Sequence, residues 1–130
     1  MEKQKTILIA EDEQDLREAI ADSLQRRNLL SLEAKNGQEA VNLSLKEHPD
    51  LILLDILMPV MDGMAALKKI RADAWGAHVP VIIMTNLSAT DEHLVADMDT
   101  LKPIYYLIKA DWKISDIMSK IEELLQIKGK

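Results

Sequence analysis

Pro49-Asp50-Leu51-Ile52-Leu53-Leu54-Asp55-Ile56-Leu57-Met58-Pro59, with Met61-Asp62-Gly63 just beyond, decides the fold. The four aliphatic residues from Leu51 to Leu54 show no polar alternation, so they predict a central strand covered on both faces. The run closes on Asp55, a carboxylate at the rim of the core, where a charge is seldom kept without a partner. Met58-Pro59 and Asp62-Gly63 mark a loop, and Met64, Leu67 and Ile70 predict a short helix after it.

The same alternation extends in both directions. Thr6-Ile7-Leu8-Ile9-Ala10 reads as a buried strand, and Leu16, Ala19, Ile20 and Leu24 then recur at helical spacing. Leu29 to Ala34 is a weaker strand. Asn36 and Glu39 have the spacing of a capping box, and His48-Pro49 ends the helix they start. Val79 to Met84 and Ile104 to Ile108 are two more strands. Ser88 with Asp91 can cap a fourth helix carrying Leu94, Val95, Met98 and Leu101. Ile114, Ile117, Met118, Ile121, Leu124 and Leu125 form the clearest amphipathic helix, the fifth. Strands with helical crossovers predict an α/β fold: a doubly wound, five-stranded parallel sheet with five helices, flavodoxin-like (βα)5.

Composition narrows the function. The chain has 130 residues, so a single domain over 1–130 with no output domain is expected. It has no cysteine, which excludes disulfides, thiolate metal sites and thiol catalysis. Sixteen basic against 22 acidic residues give a net charge of −6, which argues against direct DNA binding. The apolar run from Ile7 to Ala10 is too short for a signal peptide or a membrane span, so the expected location is cytoplasmic.

In such sheets, sites form at the carboxyl ends of the strands. Those ends carry Glu11-Asp12-Glu13, Asp55, Thr85 and Lys109. Each has a plainer reading alone: acids favour a following helix N-terminus, Thr85 is an ordinary hydroxyl, Lys109 a solvated charge. Together they form a coherent set. Clustered carboxylates need a cation, and oxygen-only ligands favour Mg2+ or Mn2+ over zinc. Lys109 is a second positive charge, and the Thr85 hydroxyl can donate to a phosphoryl oxygen. These are the parts of a phosphoryl-accepting site.

Glu11-Asp12-Glu13, the Pro49–Pro59 stretch with Met61-Asp62-Gly63, then Thr85, then Tyr106-Leu107-Ile108-Lys109 resemble a response regulator receiver domain of two-component signalling, of the single-domain, chemotaxis type. The resemblance covers the whole chain. It implies a phosphoprotein switch, not an enzyme, in which Asp55 takes phosphate from a phosphohistidine on a sensor histidine kinase or histidine phosphotransfer protein. It implies a metal site of Asp12, Asp55 and the Leu57 backbone carbonyl, with Glu11 assisting. Lys109 and Thr85 would contact the phosphoryl group, and Thr85 and Tyr106 would act as the switch. The face of the fourth and fifth helices with the fifth strand would then change shape for a protein partner. A monomer is expected before phosphorylation and a dimer is open after it.

Three positions depart from the family pattern. Ala110 follows Lys109 where the family has proline, so the bond between them is expected to be trans. Asn86 stands after Thr85 in place of a small residue, and Leu101-Lys102-Pro103 replaces a glycine before the fifth strand. Leu57, Asn86 and Leu87 are the expected tuners of phosphate lifetime, since neither leucine can hydrogen-bond an attacking water. Two enzyme or cofactor readings fail on the residues at their key positions. A haloacid-dehalogenase-type phosphatase needs an acid at Leu57, and a flavodoxin-type phosphate loop is excluded by the acids at 11–13. The alternative that stays open is a receiver-like interaction module that works without phosphorylation.

Overall fold

The computed structural model describes residues 4–85, 105–108 and 112–126. In chain order the elements are β1 (Thr6–Ala10), α1 (Gln14–Arg26), β2 (Leu30–Ala34), α2 (Gly37–Glu47), β3 (Leu51–Asp55), α3 (Gly63–Ala72), a 3-10 turn (Trp75–Ala77), β4 (Val81–Thr85), β5 (Tyr105–Ile108) and α4 (Ile114–Leu124). The strands are parallel and lie in the order β2-β1-β3-β4-β5. β1 and β3 are therefore neighbours inside the sheet, which explains their unbroken aliphatic sequences.

The expectation of a (βα)5 fold with five helices is corrected here. Among the described residues four α-helices, α1 to α4, and one 3-10 turn accompany the sheet. The helix expected across Ser88 to Leu101 lies outside the described residues. The last helical pattern of the sequence, Ile114 onward, is α4.

Two apolar layers hold the sheet. On one face Leu8, Ile52, Leu54 and Ile83 meet α2 and α3 through Val41, Leu67 and Ile70. On the other, Ile7, Ile9, Leu53 and Ile82 meet α1 and α4 through Ile20, Leu24, Ile117 and Ile121. Alternate residues of one strand thus enter opposite layers, as the pleat requires. Each fully buried aliphatic side chain contributes about 1.5–3 kcal/mol.

Local signals set the helix ends. Asn36 Oδ1 accepts from the Glu39 N–H at 2.8 Å and Asp62 Oδ1 from the Ala65 N–H at 2.8 Å, capping α2 and α3. His48 closes α2 with φ 49°, and its ring stacks on Trp75 at 4.6 Å. Arg71 Nη1 donates to the carbonyls of Gly76 and Val79, and burial lowers the guanidinium pKa below its ordinary value.

One buried group works against stability. Ser44 on α2 is fully buried, and its Oγ has no hydrogen-bond partner among the described residues. Desolvating an unpaired hydroxyl costs about 1–3 kcal/mol. Ser44→Ala is therefore expected to raise stability by about 1 kcal/mol in urea denaturation. An unchanged or lower midpoint would show that the hydroxyl is satisfied in solution.

Candidate functional site

Parallel pairing delivers the acids to one place. Ala10 pairs with Leu54, so the residues that follow each, Glu11 and Asp55, emerge side by side at the carboxyl edge. Carboxylate oxygens of Glu11, Asp12 and Asp55 all lie within 4.8 Å of one another. Glu11 is fully buried and Asp55 is 3% exposed, while Asp12 faces solvent. The cluster is thus a buried pair of acids opened to water on the Asp12 side.

Glu11 is fixed by its own backbone and its neighbours. Its N–H donates to the Ala34 carbonyl at 3.0 Å, extending the β1–β2 ladder by one residue. Its Oε2 accepts the Glu13 N–H at 3.0 Å. Its carbonyl accepts from Arg17 Nη1 at 2.8 Å. Nothing in the periodicity of α1 singles out Arg17, so this contact was not legible in the sequence.

Like charges this close repel by about 4 kcal/mol per pair at 4 Å and an effective dielectric of about 20. A cation relieves that repulsion. Three carboxylates with no nitrogen or sulfur ligand suit a hard divalent ion that keeps some of its waters. The residues present therefore fit a divalent metal.

The loop after Asp55 is held from two sides. Gly63 N–H donates to the Ile56 carbonyl at 2.8 Å, and Gly37 N–H, at the start of α2, donates to the Met61 carbonyl at 3.0 Å. Between them Leu57 is 54% exposed and Val60 81% exposed, with Val60 at φ 70°. A β-branched residue in that region is strained.

The other expected site residues are placed as follows. Thr85 ends β4, one step beyond Met84, which pairs with Asp55. Thr85 itself pairs with Ile108, the residue before Lys109. Tyr106 lies on β5 opposite Ile83. Asn86, Leu87, Lys109 and the Lys109–Ala110 bond lie outside the described residues.

This arrangement matches a known family. Residues 7–122 fit the response regulator receiver domain. The chain belongs to that family. It is 32% identical over 121 residues to a protein-glutamate methylesterase/protein-glutamine glutaminase of Archaeoglobus fulgidus, covering 92% of this chain and 34% of the relative. The chain spans well under half the length of the curated relatives it matches. A CheY-like receiver domain protein of Methanospirillum hungatei superposes with a TM-score of 0.86 at 22% identity, covering 95% of each chain. The receiver domain of a sensor histidine kinase from Pseudomonas aeruginosa PAO1 superposes with a TM-score of 0.81 at 25% identity, covering 93% of this chain and 97% of that one. That structure has a magnesium ion coordinated in its active site cleft.

The chain is thus a receiver domain of two-component signalling. The likenesses reach the receiver domain and stop short of the chemotaxis type. Among the described residues no helix is long and apolar enough to cross a membrane.

Proposed function

We propose that Asp55 is the phosphoacceptor of this receiver, and that its donor is a phosphohistidine on a sensor kinase or a histidine phosphotransfer protein. One observation carries the reading: a carboxylate 3% exposed, at the end of β3, within 4.8 Å of two further carboxylates. An Asp55 oxygen attacks phosphorus, the donor's P–N bond breaks, and the imidazole leaves with the bonding electron pair. The product is an acyl phosphate.

The residues that would hold Mg2+ or Mn2+ are Asp12, Asp55 and the Leu57 carbonyl, with Glu11 assisting. When bound, the cation supplies charge neutralisation for the acids and the incoming phosphoryl oxygens. Glu11 is buried and pinned, so it orients the loop that carries Asp12. Lys109 supplies a second positive charge to the phosphoryl group and Thr85 a hydroxyl donor. Thr85 and Tyr106 then relay occupancy to the surface of β5 and the helices beside it, where a protein partner binds. Leu57 stands exposed beside the acceptor, where a side chain that cannot hydrogen-bond water slows hydrolysis of the acyl phosphate; Leu87 shares that role, and Asn86 tunes the lifetime by crowding the phosphate. The single-domain, chemotaxis-type form of this reading predicts a protein monomeric before phosphorylation.

Acetyl phosphate with Mg2+ tests the acceptor without any partner. The expected result is a mass gain of one phosphoryl group, mapped to Asp55. A protein that gains no mass under these conditions would instead fit an interaction module that works without phosphorylation.

A further inference from the structure

Arg17 lies outside the set of acids yet touches their loop. It sits in the first turns of α1 with its side chain 15% exposed. Nη1 donates to the Glu11 carbonyl at 2.8 Å, and Nε donates to Glu33 Oε1 at 3.1 Å. Glu33 lies on β2, where it pairs with Ile9 of β1. One planar guanidinium therefore links the edge strand to the acidic loop, with a fork geometry that a lysine lacks.

The bond to Glu11 is placed where it matters for the acids. A carbonyl and the N–H of the next residue share one rigid plane. Holding the Glu11 carbonyl therefore holds the peptide between the carboxylates of Glu11 and Asp12. The Glu11 N–H is fixed by Ala34, also on β2. Both sides of Glu11 are thus referred to the same strand, one directly and one through Arg17.

We infer that Arg17 is a positioning residue for the divalent cation, acting through the Glu11–Asp12 peptide and braced by Glu33. This rests on the proposed metal site. Two effects of Arg17 have opposite signs, which makes the inference sharp. As a nearby positive charge, it disfavours a cation, so its removal should tighten binding. As a brace, its removal should loosen the acids and weaken binding, as loss of partners behind metal ligands does by 10–100-fold.

The experiment is a calorimetric titration with MgCl2 of wild type, Arg17→Met and Arg17→Lys, with thermal unfolding of each metal-free protein as a folding check. The expected result is about tenfold weaker Mg2+ binding for Arg17→Met. Arg17→Lys keeps the repelling charge and loses the fork, so it should bind Mg2+ no more tightly than Arg17→Met. If folded Arg17→Met binds as tightly as wild type or more tightly, charge outweighs bracing and the inference is overturned; if folded Arg17→Lys does so, the guanidinium fork does not brace the loop and the inference is likewise overturned. A wild type that binds no Mg2+ would overturn the metal site itself, and the brace with it.

Discussion

Asp55→Asn is expected to abolish phosphoryl uptake from acetyl phosphate at every Mg2+ concentration, whereas Asp12→Asn should slow uptake in a way that excess Mg2+ restores. The two side chains lie in one cluster, with oxygens within 4.8 Å, yet they do different work. Asp55 is 3% exposed and ends β3, and in the proposed reaction it carries the attacking oxygen. An amide there keeps the shape but offers no carboxylate nucleophile, so no concentration of metal compensates. Asp12 is exposed, and in the proposed metal site it would contribute charge and one ligand oxygen. Its loss should weaken Mg2+ binding by about tenfold or more, since even partners behind the ligands are worth that much. Mass action then refills the site at higher Mg2+. Intact-protein mass spectrometry across a Mg2+ series reads both variants. Rescue of Asp55→Asn by metal would move the acceptor elsewhere, and failure to rescue Asp12→Asn would give Asp12 a role beyond binding the cation.

The meeting of these acids was legible in the sequence because strand ends are. Leu51 to Leu54 announce a strand buried on both faces, and parallel pairing leaves one carboxyl edge where Glu11, Asp12 and Asp55 must meet. Helix caps were legible too, but less completely. Asn36 caps α2 as its spacing predicts, yet Glu39 Oε1 accepts from the Lys35 N–H instead of closing the box on Asn36. Five helices follow from periodicity, while the described residues hold four.

Contacts to the backbone were the least legible. Arg17 reads as one more charge on a helix surface. Its grip on the Glu11 carbonyl depends on the path of the loop, which periodicity does not encode. Val60 illustrates the same limit from the other side. Its branched Cβ favours extended backbone, but the loop pinned at Ile56 and Met61 holds it at φ 70°.

Gly63 sets the largest structural effect expected at the site. No positive φ requires glycine here; the requirement is space. A Cβ at Gly63 would lie 2.0 Å from the Asp55 carbonyl oxygen, 2.8 Å from its carbon and 2.9 Å from the Ile56 Cα. All three are backbone atoms, so no side chain can turn aside, and the acceptor strand or the start of α3 has to move. Overpacking of this kind costs about 1–3 kcal/mol. A displacement of about 1 Å at a reacting group costs on the order of 100-fold in rate. Gly63→Ala is therefore expected to lower stability in urea and to slow phosphorylation by acetyl phosphate far more than the loss of folded protein explains. Gly76→Ala is the control. Its Cβ would meet the Ile70 carbonyl oxygen at 2.0 Å, an equal clash in the 3-10 turn away from the acids. It should lose similar stability and keep the wild-type rate per folded molecule. If the two variants slow phosphorylation equally, the close approach of α3 to Asp55 serves stability alone and does not aim the acceptor.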